Sequence, residues 1–158
     1  MFKLAVIGTN WISQQFVEAA IQTKQFCLKA VYSRDIEKAR LFGTPYYADT
    51  YYDSLEALGQ DADIDAVYIA SPNSLHAPQA IQMLKAGKHV ICEKPMASNY
   101  ALAQQMFACA EENNVVLFEA FMSPYTPNFQ VLKESLPSIA PLRHATISYC
   151  QYSSRYQK

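Results

Sequence analysis

The stretch AVIGTNWIS, Ala5 to Ser13, carries an apolar run into Gly8 and passes at once into an amphipathic pattern. A strand that turns on a glycine into a helix start presents free backbone N–H groups and the positive end of the helix dipole. That arrangement takes a diphosphate. The N–H groups that would do so belong to Gly8, Thr9, Asn10, Trp11 and Ile12. Only the first glycine of the G-x-G-x-x-G dinucleotide fingerprint is present, because Asn10 and Ser13 stand at the other two places. Asparagine enters left-handed backbone more readily than most residues, and serine is small enough for close helix packing, so both replacements are tolerable. The alternative is a plain strand-to-helix turn capped by Asn10.

A second group of the same kind ends the segment LKAVYSRD, at Ser33 and Arg34. An acid about 20 residues beyond the glycines holds the adenosine ribose in NAD sites, whereas an arginine there stacks on adenine and pairs with a 2′-phosphate. Arg34 therefore favours NADP(H), with NAD(H) as the lesser option. Asp35 either caps the next helix or reaches a ribose. The competing reading of Arg34 is a solvated side chain paired with Asp35 or Glu37.

Both groups need a sheet to hold them. Short apolar segments alternate with helical patterns, the signature of a parallel sheet with crossover helices. Strands are expected near Lys3–Gly8, Phe26–Ser33, Tyr46–Ala48, Ala66–Ala70, His89–Glu93 and Val115–Ala120. Between the first two, Ile12, Phe16, Ala19, Ala20 and Thr23 form a stripe to face the sheet. Asp35–Phe42 reads as a short helix, and a longer one runs from a capping Asn73 to a stopping Gly87 with Pro78 near its first turn. Leu102, Met106 and Ala110 line another. The pattern is an α/β, doubly wound Rossmann sheet, with residues 1–120 as its domain. Residues 121–158 read as a connecting segment and the first strand, within RHATISYCQYSSRY, of a second α+β domain.

Composition excludes other classes. The 158 residues carry a formal charge of −1 and are 51% hydrophobic, with no basic tract for nucleic acid and no apolar run near the ~18 residues a membrane helix needs. Met1 to Gly8 is too short for a secretory signal, so the expected location is cytoplasmic. The four cysteines lie far apart among apolar neighbours, which suits buried reduced thiols rather than a metal site.

Three further motifs close the pattern: IASPNSLHA after the fourth strand, VICEKPMA at the end of the fifth and FEAFMSPYTPNF after the sixth. With YSR on the second strand, they resemble in order and spacing the N-terminal half of the Gfo/Idh/MocA family of NAD(P)-dependent oxidoreductases. The last motif is similar to that of dimeric dihydrodiol dehydrogenases. The resemblance implies hydride transfer between nicotinamide and a secondary alcohol or ketone of a sugar, polyol, inositol or dihydrodiol-like substrate, by a homo-oligomer in full-length form. It assigns Lys94 to the place where nicotinamide and substrate meet. There an ammonium can hydrogen-bond the reacting oxygen and stabilise developing alkoxide charge. It further implies Glu93 near the nicotinamide ribose, Pro95 fixing the turn, and Ser71, Pro72 and Asn73 along the dinucleotide, whereas without the resemblance Glu93, Lys94 and Pro95 read as a strand end with a solvated pair. His76 either approaches the nicotinamide half or is a partly exposed structural histidine.

The chain departs from the family where an aromatic residue followed by arginine is common, since Met122, Ser123 and Pro124 stand there. The family's substrate-side Asp and His, four apart on a helix of the second domain, would lie beyond Lys158, and His144 is on the wrong element to replace them. The 158 residues alone are therefore expected to bind a dinucleotide without turnover. Two other functions share these features: an NAD-dependent glycosidase of the same fold, and a non-catalytic dinucleotide-binding sensor.

Overall fold

A computed structural model describes residues 1–139 and 141–150. They divide into two units, one ending at Phe121 and the other beginning at Met122. The first contains, in chain order, β1 (Phe2–Ile7), α1 (Trp11–Gln22), β2 (Phe26–Tyr32), α2 (Ile36–Gly43), β3 (Thr50–Tyr52), α3 (Leu55–Gln60), β4 (Ala66–Ile69), α4 (Asn73–Lys85), β5 (His89–Glu93), α5 (Tyr100–Glu112) and β6 (Leu117–Ala120). The strands form one parallel sheet in the order β3-β2-β1-β4-β5-β6. This is the doubly wound Rossmann arrangement, with its switch point between β1 and β4.

Alternation along β1 sends neighbours to opposite cores. Ala5 and Ile7 join side chains of α3, α4 and α5, while Leu4 and Val6 join Val17 and Ala20 of α1 and Ala39 of α2. Helices thus cover both faces, as a parallel sheet requires. The stripe of α1 that is fully buried is Ser13, Val17 and Ala20, one position over from the expected set, while Ile12 and Phe16 flank it half-buried and Ala19 is exposed. Ser13 belongs to this stripe because it is small, and a search for apolar residues passes over it. On α5 the expected stripe holds, with Cys109 added to Met106 and Ala110.

Three local expectations change. The strand expected at Tyr46–Ala48 lies instead at Thr50–Tyr52, because Pro45 starts a 3₁₀ turn over Thr44–Tyr46 and Tyr47 takes a left-handed φ of 58°. Helix α3 was not expected; Ser54 caps it by accepting from Ala57 N–H at 3.2 Å. Helix α4 begins with Asn73 as its first residue rather than its cap, since Pro72 holds the cap position, and Pro78 lies inside the helix. Its end is as expected. Gly87 takes φ 76°, its N–H donates to Leu84 O at 3.0 Å, and Lys88 N–H donates to Met83 O at 3.0 Å. That pair of bonds is the Schellman stop.

In the second unit, Pro127 opens α6 (Pro127–Ser135) after Thr126, the place where a missing N–H costs nothing. No strand forms over the described part of RHATISYCQYSSRY, residues 143–150, which are exposed. A strand without a paired neighbour leaves its ladder groups to water. Residues 151–156 of that segment lie outside the described residues.

Two of the four cysteines are buried, Cys92 and Cys109, whereas Cys27 is half-buried and Cys150 exposed. Burial, then the neighbouring charges of Glu93 and Glu119, push the Cys92 thiol up to about 12. Since the thiolate is the reactive form, iodoacetamide at about pH 8 should alkylate Cys150 first and leave Cys92 and Cys109 unmodified until the protein is denatured. Mass mapping of the alkylated peptides checks this, and early labelling of Cys92 would contradict it.

Candidate functional site

The carboxyl ends of β1, β2 and β4 open on a cleft of ≈ 580 Å³. From β1 it is lined by Ile7, Gly8, Thr9 and Asn10; from β2 by Tyr32, Ser33, Arg34, Asp35 and Lys38; from β4 by Ala70, Ser71, Pro72, Leu75 and Gln79. Three stretches more than sixty residues apart in sequence, end to end, thus share one concave surface.

The first turn is built by a close approach. Gly8 has φ 107°, and a Cβ added there would lie 2.8 Å from Ala70 O, so only glycine fits. Asn10 bolts the same turn to β4, its Nδ2 donating to Ala70 O at 2.6 Å. Its Oδ1 accepts from Ile12 N–H at 3.0 Å and Ser13 N–H at 3.1 Å, capping α1. Of the two expectations for Asn10, the cap is formed and the left-handed backbone is not. Its φ is −91°, ordinary extended backbone, and the residue is present for its side chain rather than for left-handed tolerance. The cap also occupies the Ile12 N–H. Among the described residues no acceptor takes the N–H of Thr9, Asn10 or Trp11. These three donors, at the start of a twelve-residue helix, remain for an anion.

At the second turn the proposed pairing of Arg34 with Asp35 or Glu37 is not formed. Asp35 accepts from Glu37 N–H at 3.1 Å and lies 3.6 Å from Lys38 Nζ, and Glu37 faces Arg40 at 3.6 Å. Arg34 is exposed and makes no ion pair with the described residues. Lys38, one helical turn on, brings a second cation to the cleft. In the sequence it is legible as a basic residue in the first turn of the helix that follows Arg34.

The β4 turn carries Ser71, whose Oγ donates to Gln79 Oε1 at 2.6 Å, with Gln79 itself buried. His76 is 1% exposed, not partly exposed, and does not line the cleft. Its Nδ1 lies 2.9 Å from Pro95 O and its Nε2 2.8 Å from Ser71 O, so the ring ties the turn after β4 to the turn after β5. Gln79, three residues further along the same helix face, is the other polar group that the sequence reading missed. Beyond the cleft lining stand Trp11 and Asn73, both exposed, and half-buried Ile12.

Glu93 ends β5 and Lys94 follows it, both outside the cleft lining. Tyr68 O–H donates to Glu93 Oε1 at 2.7 Å, and Met96 N–H donates to Glu119 Oε1 at 3.0 Å. The Lys94–Pro95 bond is cis. Lys94 is exposed, and its ammonium makes no hydrogen bond or ion pair with the described residues. Among those residues no cluster of metal-ligating side chains exists, and no helix is long and apolar enough to cross a membrane.

Residues 2–121 match the family described as "Oxidoreductase family, NAD-binding Rossmann fold", Gfo/Idh/MocA. The chain belongs to that family. It is 52% identical over 158 residues to the oxidoreductase YgjR of Escherichia coli, covering all of this chain and 48% of that one. It is 47% identical over 156 residues to a scyllo-inositol 2-dehydrogenase (NADP(+)) of Bacillus subtilis, covering 99% of this chain and 48% of the other. Among solved structures, a 3-ketoreductase from Actinomadura kijaniata in complex with NADP and TDP-benzene superposes with TM-score 0.80 at 30% identity. That match covers 87% of this chain and 42% of the reductase. The chain spans about half the length of the curated relatives it matches.

The architecture of the Gfo/Idh/MocA turn makes a stability prediction. Asn10→Ala removes a helix cap and the bond to Ala70 O, and should cost about 1–3 kcal/mol. Gly8→Ala meets a backbone oxygen from a strained φ and should cost about 2 kcal/mol or more. Urea unfolding of the two variants measures both, and an unshifted midpoint for either would contradict the turn as described.

Proposed function

We propose that this chain is the dinucleotide-binding part of an NADP(H)-dependent dehydrogenase or reductase. Its substrate class is a secondary alcohol or ketone on a sugar, polyol, inositol or dihydrodiol-like ring. The observation that carries the reading is the convergence of the Gly8 turn and the unpaired Arg34 guanidinium on one cleft at the switch point. In this reading the N–H groups of Thr9, Asn10 and Trp11 take the diphosphate, and Arg34 with Lys38 takes the 2′-phosphate of the adenosine end. Ser71, Pro72 and Asn73 border the path toward the nicotinamide end. The bound dinucleotide supplies the hydride chemistry.

Lys94 is the residue read as catalytic. An ammonium with no described partner is free to donate to the oxygen of the reacting carbinol or carbonyl and to stabilise negative charge there. Glu93, one residue earlier, accepts from ribose hydroxyls. The relatives' names support the substrate class, because the Bacillus subtilis protein acts on scyllo-inositol with NADP(+). Residues 121–158 are read as the connection to a substrate and oligomerisation domain, which places the substrate-side groups on the remainder of a longer homo-oligomeric, cytoplasmic protein.

Two measurements test this reading. NADPH should bind more tightly than NADH, and Arg34→Ala should weaken NADPH ~10–100-fold while changing NADH less than ~3-fold, the loss of charge-assisted bonds to one phosphate. Equal affinities in the unaltered protein would refute the assignment of Arg34. In the full-length enzyme Lys94→Ala should lower kcat at least ~100-fold with NADPH binding retained, in line with loss of a group stabilising charge in the transition state. Undiminished kcat would remove Lys94 from the chemistry.

A further inference from the structure

Tyr68 lies on β4 with its side chain wholly buried, and its ring is stacked on Phe16 of α1, centroids 3.7 Å apart and planes 1° from parallel. A buried tyrosine hydroxyl needs a partner, and here the partner is Glu93 Oε1 at 2.7 Å. The other carboxylate oxygen, Oε2, accepts from the backbone N–H of Lys94 at 3.3 Å. Each oxygen of Glu93 is therefore held by one donor. An ionised carboxylate has about four acceptor positions, so each oxygen keeps capacity for a hydroxyl. No cation forms an ion pair with Glu93 among the described residues. Nothing else in that set fixes where the carboxylate points.

We propose that Tyr68 is a positioning residue for the dinucleotide: Phe16 fixes its ring, and its hydroxyl aims the Glu93 carboxylate at the ribose next to the nicotinamide. This rests on the reading of Glu93 as a ribose ligand. The chain of contact runs from α1, whose start forms the phosphate turn, through Phe16 and Tyr68 to the acid beside Lys94. It links the phosphate turn to the nicotinamide end of the cofactor path through one ring stack and one hydrogen bond. Burial, with the bond and charge of Glu93, holds the Tyr68 hydroxyl well above the usual phenol range, so it stays a donor at any working pH.

A purely structural tyrosine would act through its ring alone, and Tyr68→Phe keeps the ring and the stack. In the full-length enzyme this variant should melt within a few degrees of the unaltered protein while its Kd and KM for NADPH rise ~5–20-fold, with kcat held within ~3-fold. Glu93→Gln should show a similar rise. The double variant should be no worse than Glu93→Gln alone, because the hydroxyl acts only through the carboxylate. Unchanged NADPH affinity in Tyr68→Phe beside a weakened Glu93→Gln overturns the proposal and leaves the reading of Glu93 standing. Unchanged affinity in Glu93→Gln overturns the reading itself. Additive losses in the double variant also overturn the proposal, by giving Tyr68 a separate effect.

Discussion

At Gly8 the end of β1 comes so close to the end of β4 that one added carbon would lie 2.8 Å from the carbonyl oxygen of Ala70. This contact constrains what surrounds it. It brings the turns after β1 and β4 together where the sheet changes direction, and it points the start of α1 into the space between them. Asn10 secures the approach by giving its amide hydrogen to the same oxygen and its amide oxygen to the helix start. The cleft exists because two parallel strands, sent to opposite faces by their crossovers, part here. The unpaired N–H groups exist because a helix begins at its edge.

The chemistry divides along that geometry. Positive charge gathers at the β2 end: Lys38 is paired with Asp35 and Glu37 faces Arg40, which leaves the Arg34 guanidinium without an ion pair among the described residues. The polar groups of the β4 and β5 turns hold one another: Ser71 with Gln79, His76 with two carbonyls, Tyr68 with Glu93. One end of the site thus offers the Arg34 guanidinium, suited to capturing an anion. The other is a set of short polar contacts in which Glu93 keeps acceptor capacity, suited to holding a few groups in fixed directions.

How far this was legible in the sequence varied with the distance over which the cause acts. An apolar run into Gly8, and the recurrence of strand ends at Arg34, Ser71 and Lys94, were enough to order the sheet and name seven residues of the cleft lining. The Schellman stop at Gly87 was equally local. Where a distant residue decides, the reading slipped. At Asn10 the cap is legible, but the bond to Ala70 O is not, because that acceptor is sixty residues away. The burial of His76 is not legible, because the carbonyl that covers one side of it belongs to Pro95. The third strand slid by four residues because Pro45 sets a turn whose length no periodicity records. The role of Tyr68 was hidden altogether, since a tyrosine inside AVYIA looks like any core residue until Glu93 is seen beside it.

The central claim is that one dinucleotide lies across the turns after β1, β2 and β4. Hydrogen–deuterium exchange of the protein with and without saturating NADPH tests it most directly. Peptides covering residues 8–12, 33–38 and 70–73 should all gain protection, while the loop at 61–65, at the opposite end of the same sheet, should not change. Protection at 61–65 with none at 8–12 would place the nucleotide at the wrong end of the strands and contradict the account.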